Sequence, residues 1–214
     1  MLYQLRSHLA GRLRALTARS RYGIKAGYAH RTEVVYFDDT PNRDEYQKEV
    51  YEHAARLFRE GNYSRVLDLG CGAGYKLVQH FSAEQSVGFD LPPTLAYLRR
   101  TYPTRQWCEV AQLPAIARPR DLLICADVIE HVPDPDQLLR QLQTAGVAKL
   151  IISTPERDLV RGALDFGPPK NKAHAREWSF SEFRNYVDRF FVVEKHWISH
   201  REQGTQVVQC RPRH

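Results

Sequence analysis

Residues 66–74 read VLDLGCGAG. The first four have the apolar character of a buried strand. Glycines then stand at alternate positions, and YKLVQHF follows with helical character. Glycine lets a backbone turn sharply and come close to a ligand, because any Cβ would clash. The helix N-terminus behind such a turn offers unpaired N–H groups to an electron-rich ligand. Further on, VGFD ends in Asp90, where a carboxylate can accept hydrogen bonds from ribose hydroxyls, roughly 20 residues after the glycines. A tight turn without a ligand is the plainer reading, but it leaves the order of strand, turn, helix and acid unexplained. That order suits an adenosine-containing cofactor at the carboxyl ends of strands.

The spacing here is G-x-G-x-G, with Asp68 just before it. Dinucleotide-binding sheets prefer G-x-G-x-x-G. An acid at that place would repel a pyrophosphate and would suit the positive amino group of a methionine moiety. S-adenosylmethionine is therefore expected over a nicotinamide dinucleotide. An NAD(P)-linked oxidoreductase on a Rossmann sheet is the alternative.

Outward from this stretch the chain alternates strands and helices. Apolar runs end at Leu69, Asp90, Cys125 and Ser153, and a weaker one covers residues 105–110 before QLPAIARPR. Helical patterns cover about residues 75–81, 93–101 and 135–144. The alternation predicts an α/β fold, a Rossmann-like doubly wound and mostly parallel sheet of seven strands. Ser179 and Glu182 form a capping box for a helix to about Asp188. FFVVEKHWI and TQVVQC, with Gly204 near their turn, predict a C-terminal antiparallel hairpin. Upstream, Asn42 and Glu45 are expected to cap a helix whose stripe is Tyr46, Val50, Ala54 and Leu57, stopped by Gly61-Asn62. The chain thus divides into a basic segment and possible lid, residues 1–41, and a domain over residues 42–214.

Composition supports one globular domain: 214 residues, 43% hydrophobic and 26% charged. No apolar run reaches the length of a membrane-spanning helix, and the N-terminus lacks a signal-peptide core. Cys71, Cys108, Cys125 and Cys210 are scattered and form no C-x-x-C pair, which argues against a zinc knuckle and for a reducing compartment. A cytoplasmic protein is expected. The net charge of +6 is uneven: Arg6, Arg12, Arg14, Arg19, Arg21, Lys25 and Arg31 precede the first acid, Glu33. Leu2, Leu5, Leu9, Leu13 and Leu16 share one helical face. Such a helix either packs on the domain with its arginines solvated, or brings residues 1–25 to an anionic membrane or a partner.

VLDLGCGAG, VGFDL, the LP of QLP and DLLICADVIEHVPDPDQLL resemble successive motifs of the class I S-adenosylmethionine-dependent methyltransferases. The flavour is that of ubiquinone-biosynthesis O-methyltransferases, over about residues 65–154. The resemblance implies that Asp68, Gly70 and Gly72, with Cys71 between them, hold the amino-acid end of the cofactor. It places Asp90 and Leu91 at the ribose. Glu109 stands where the family usually has an Asp near the adenine amino group, and Gln112 and Leu113 would flank the adenine. Ala126 and Asp127 would line the methionine end.

In the implied fold ICADVIEH leaves the fourth strand beside the reacting methyl, which gives Asp127, Glu130 and His131 three readings. His131, made more basic by Glu130, is a candidate general base. Asp127, Glu130 and His131 also preserve an acid-x-x-Glu-His pattern thought to hold a divalent ion, and oxygen-rich ligation would suit Mg²⁺. The third reading is structural, with Glu130 and His131 pinning a loop by hydrogen bonds. Asp134-Pro135 reads as an N-cap followed by Pro at the first helical position.

The acceptor is expected against the loop FGPPKNKAHAREWSF, residues 166–180. His174 is a second base candidate, Arg176 an anion-binding fork and Trp178 a stacking surface. Alternatively Trp178 anchors the loop in the core and Arg176 sits on a helix end. Tyr28, His30, Tyr36, Phe37 and Asp38 are candidates to close the pocket. No D/N-P-P-Y motif follows the fourth strand, which lowers nucleobase methylation and makes a nucleic-acid partner unlikely. The expected activity is O-methylation of a small molecule or a sugar or glycan precursor. A non-catalytic S-adenosylmethionine-binding module is a further alternative.

Overall fold

The computed structural model of the protein describes residues 22–213. The leucine stripe and most of the basic N-terminal segment lie outside the described residues.

In chain order the elements are α1 (Lys48–Glu60), β1 (Val66–Leu69), α2 (Tyr75–His80), β2 (Ser86–Asp90), α3 (Pro92–Thr101), β3 (Gln106–Glu109), α4 (Leu113–Ile116), β4 (Leu122–Ala126), α5 (Pro135–Thr144), β5 (Lys149–Pro155), α6 (Arg157–Arg161), α7 (Phe180–Val187), β6 (Phe191–His200) and β7 (Thr205–Pro212). The strands form one seven-stranded sheet in the order β3-β2-β1-β4-β5-β7-β6. The first five run parallel, and β7 lies antiparallel between β5 and β6. The expected doubly wound sheet with its terminal hairpin is therefore what the chain forms.

Every residue of β1, β2 and β4 is buried, because helices cover both faces of a parallel sheet. Side chains alternate between the two cores, as the two-residue strand period requires. Leu67, Leu69, Leu123 and Cys125 face α5 and α7 with Leu139, Trp178 and Phe183. Val66, Leu122 and Ile124 face α1 with Val50 and Ala54. The four cysteines are buried and free. No described helix is long and apolar enough to cross a membrane.

The local start signals succeed in two places and fail in one. Ser179 and Glu182 cap α7 reciprocally, and the Asp134 side chain accepts from Asp136 N with Pro135 opening α5. At α1 the helix begins at Lys48 rather than near Asn42, because the two expected capping side chains are engaged locally instead. Asn42 Nδ2 donates to Asp39 Oδ1 at 2.6 Å, and the Glu45 carboxylate accepts from Arg43 N. Gln47 then takes a left-handed backbone, φ 63°, as the N-cap. Tyr46 leaves the expected stripe and is 53% exposed.

Candidate active site

A cavity of about 590 Å³ opens at the carboxyl ends of the central strands. Gly70, Gly72, Asp90, Leu91, Ala126 and Asp127 line it from the sheet. Glu130, His131 and His174 line it from the loops above, and Tyr36, Phe37, Asp39 and Gln47 from the N-terminal side.

The glycine turn requires its glycines. Gly70, Gly72 and Gly74 have φ of 75°, 50° and 67°, and a Cβ on Gly70 would strike Val128 Cγ2. Asp90 ties the turn to β2: Gly72 N donates to Oδ2 at 2.8 Å and Leu91 N to Oδ1 at 2.7 Å. Thr94 also hydrogen-bonds this carboxylate, which leaves one acceptor position for a hydroxyl from the cavity. Burial raises the Asp90 carboxyl above its ordinary range. Asp68 lies fully buried beneath the turn, accepting from Tyr51 Oη at 2.9 Å. Desolvation raises its pKa to about 7. The neighbouring Cys71 thiol is pushed well up by burial.

Beyond Asp90, Leu91 and Val110 reach the cavity wall. Glu109 and Gln112 cap each other across a single 3₁₀ turn, and Leu113 belongs to the core. The sequence placed Val110 only at the end of a weak strand, and nothing in its residue type marked it as a wall of the cavity.

At the other end of the cavity β4 delivers three polar residues. Asp127 has a left-handed backbone, φ 51°. Its oxygens are engaged by Ser153 Oγ at 2.6 Å and Gln47 Nε2 at 3.0 Å. Glu130 is fully buried; Thr154 Oγ1 donates to Oε2 at 3.0 Å, while Oε1 has no hydrogen-bond partner. Burial, then the charge of Asp127, pushes the Glu130 carboxyl well above its ordinary range. His131 Nδ1 donates to the Ala173 carbonyl at 2.9 Å, which leaves Nε2 as the unprotonated nitrogen. Desolvation lowers its pKa to about 4, with nearby His174 adding to the effect.

His174 comes from the long loop and meets His131 edge-on, with ring centroids 4.7 Å apart. Its Nδ1 bonds Glu177 Oε1 at 2.8 Å, and Asn171 Nδ2 lies 3.0 Å from Nε2. One ligand atom each of Glu130, His131 and His174 falls within 4.8 Å of the others. Asp127, expected as the first member of a metal set, is not in this group, because its oxygens are held by Ser153 and Gln47. His174 takes its place.

Arg176, Trp178 and Tyr28, expected at the acceptor, do not reach the cavity. The Arg176 guanidinium is buried and donates to the Val132 and Pro133 carbonyls, both at 2.7 Å, and lies 4.3 Å over the Tyr22 ring. Trp178 is buried against Tyr186, and its indole N–H donates to the Tyr22 carbonyl at 2.9 Å. Tyr28 Oη accepts from Glu177 N at 3.1 Å. A guanidinium and two aromatic rings find more apolar surface and more carbonyls in the core than at a wet rim. Together they hold the loop that presents His174. Tyr36 does line the cavity, its hydroxyl 2.8 Å from Thr94 Oγ1, and Phe37 stacks on His131 at 5.7 Å. His30 instead meets Tyr22, and Asp38 bonds Thr40 at the surface.

A parallel sheet in this strand order, a glycine turn opening a helix and an acid ending the second strand define a class I S-adenosylmethionine-dependent methyltransferase. Residues 39–201 match the family model described as "Methyltransferase domain", and the chain belongs to that family. It is thus an S-adenosylmethionine-dependent enzyme, and the oxidoreductase alternative falls. Solved structures with the same fold include the small RNA methyltransferase HEN1. There the TM-score is 0.57 at 22% identity, covering 89% of this chain and 27% of that one. The magnesium protoporphyrin IX methyltransferase of Synechocystis PCC 6803 with bound S-adenosylhomocysteine has a TM-score of 0.58 at 16% identity, covering 80% of this chain and 89% of that one. A putative O-methyltransferase of Nostoc punctiforme PCC 73102 has 0.55 at 18%, covering 77% and 56%. The chain spans about a quarter of the HEN1 structure's length. No curated protein matches it.

Proposed function

We propose that this enzyme methylates a hydroxyl oxygen of a small molecule or glycan precursor, and that Glu130, His131 and His174 hold a divalent cation beside that hydroxyl. The observation that carries the reading is the convergence of these three side chains on the cavity, with Glu130 Oε1 buried and unpartnered. Histidines that bind metals have their second ring nitrogen fixed by an acceptor. Both imidazoles here meet that condition, through the Ala173 carbonyl and the Glu177 carboxylate, and a cation at His174 Nε2 would displace the Asn171 amide that now donates there. With a pKa of about 4, His131 is neutral at physiological pH, as a ligand must be, yet weak as a direct base. A cation beside Glu130 would favour its ionised form and offset the burial that opposes it.

Two imidazoles and one carboxylate suit a borderline cation such as Fe²⁺, or Mn²⁺ with its readier acceptance of imidazole, better than Mg²⁺, the ion expected from the sequence, which prefers oxygen ligands. Such an ion, when bound, would orient an acceptor hydroxyl and lower its pKa. The cofactor supplies a methyl already activated on sulfur. The chain's own residues then align the partners and keep water out, with Tyr36 and Phe37 over the reacting end. Val35, Tyr36, Phe37 and Tyr46 are all exposed at the cavity. This apolar rim suits the face of a ring better than a polyanion. A ribose hydroxyl of RNA is the second reading, favoured by the net charge of +6 and by the likeness to a small RNA methyltransferase.

The test is methyl transfer from labelled cofactor to a panel of sugars, nucleotide sugars, phenols and an RNA oligonucleotide, in EDTA, Mg²⁺ and Mn²⁺. Turnover is expected only with a cation. Glu130→Gln should lower it about 100-fold while S-adenosylhomocysteine affinity stays within about threefold. Equal turnover in EDTA and Mn²⁺ would sink the cation, and label on nitrogen or carbon would sink the hydroxyl.

A further inference from the structure

The N-terminal segment crosses the cavity and sets a carboxylate on the glycine turn. Asp39 Oδ2 occupies the space that a Cβ on Gly72 would fill. Its other oxygen accepts from Asn42 Nδ2, and Asn42 N donates back to the Asp39 carbonyl at 3.0 Å, fixing the turn that aims it. The segment is fastened along its length. Val35 N donates to the Lys172 carbonyl at 3.3 Å, Tyr36 bonds Thr94, and Gln47 bonds Asp127.

Three carboxylates therefore converge on one turn: Asp39 from above, Asp68 from below and Asp90 from the side. The charge of Asp39 adds to the upward pressure on both of the others. Lys76 is the cation that opposes this at Asp68, and its Nζ is already committed to the Arg43 carbonyl at 3.0 Å. Converging carboxylates favour a ligand that brings positive charge. Asp68 is fully buried, holds Tyr51 and is not on the cavity wall, whereas Asp39 is.

We infer that Asp39, rather than Asp68, makes the direct ion pair with the α-ammonium of the cofactor, so that the N-terminal segment completes the amino-acid end of the site. The inference rests on this cavity being where the cofactor binds. Gly72 lacks a side chain, on this view, for two reasons: its own left-handed backbone, and room for a carboxylate delivered from another part of the chain.

The experiment is calorimetry on the full-length protein with two ligands. S-adenosylhomocysteine carries the ammonium, and 5′-methylthioadenosine lacks the whole amino-acid end. Asp39→Asn should weaken the first by about tenfold to a hundredfold, the range of one charge-assisted hydrogen bond. The second should change less than about twofold, since it makes no contact for that side chain to lose. Asp38→Asn, at the neighbouring carboxylate that bonds only Thr40, should alter neither. Asp39→Ser keeps the space over Gly72 open and should give the same split if the Asn variant folds poorly. Equal losses for both ligands would make Asp39 merely an ordering residue and overturn the inference, as would no loss at all. Wild-type protein that binds neither ligand would overturn the cofactor site itself, a result distinct from both.

Discussion

Gln47 and Asp127 are the two non-glycine residues with left-handed backbones in the described chain, and they hold each other. Their φ angles are 63° and 51°, and Gln47 Nε2 donates to Asp127 Oδ2 at 3.0 Å. Each such backbone costs on the order of 1–2 kcal/mol. Strain of this kind persists where surrounding bonds over-determine it. Here Asp127 N donates to the Ser153 carbonyl and Ser153 Oγ returns to Oδ1. The contact joins the start of α1 to the end of β4, on two sides of the cavity.

Replacing Gln47 separates strain from contact. Gln47→Ala loses the hydrogen bond and keeps the strain, and should cost about 1–2 kcal/mol in chemical denaturation. Gln47→Gly loses the same bond but relaxes the backbone, so its loss should be smaller by about 1 kcal/mol. Both should weaken S-adenosylhomocysteine binding, because the Asp127 wall loses its brace. Equal stability losses would mean that the left-handed turn stores no strain.

Arg176 separates an anchor from a substrate contact. Its two terminal guanidinium nitrogens donate to consecutive carbonyls, Val132 and Pro133, in the turn between His131 and α5. A lysine ammonium cannot bridge both. Arg176→Lys should therefore lower stability by about 2–3 kcal/mol. A raised KM with unchanged stability would instead restore Arg176 as an anion-binding fork.

The parallel sheet was legible because VLDL, VGFD and LLICA are nearly unbroken apolar runs, as burial on both faces demands. The start of α1 was not, because Asn42 and Glu45 have the residue types of a cap but spend them on Asp39 and Arg43. At the site, Glu130 and His131 were readable from their position after β4. His174 was readable as a second base candidate on its loop, but its meeting with His131 was not, because the two are far apart in the chain and only the loop's path brings them together. Arg176 and Trp178 show the opposite limit. A guanidinium and an indole serve a ligand or a core equally well, and residue type cannot choose. Asp39 lies in a stretch without periodicity, and Gln47 falls inside the helix expected from Asn42 although it is that helix's left-handed N-cap, so nothing short of the fold places them.

Asp68 should make cofactor binding depend on pH. Burial raises its pKa to about 7, against an ordinary 3.8. Between those values the folded protein binds more protons at this group than the unfolded chain does. Its contribution to stability is therefore greatest at the acid end, falls as pH rises to about 7, and is flat above. A cofactor carrying an ammonium near the glycine turn favours the ionised carboxylate, so binding below that pKa must expel a proton. S-adenosylhomocysteine affinity should rise between about pH 5.5 and 7 and then level off, with proton release visible in buffers of different ionisation enthalpy. Asp68→Asn has no proton to lose and should bind more weakly with a flat profile over the same range. A wild-type affinity that is already flat would show Asp68 ionised throughout, held so by Tyr51 and Lys76 against the cost of burial.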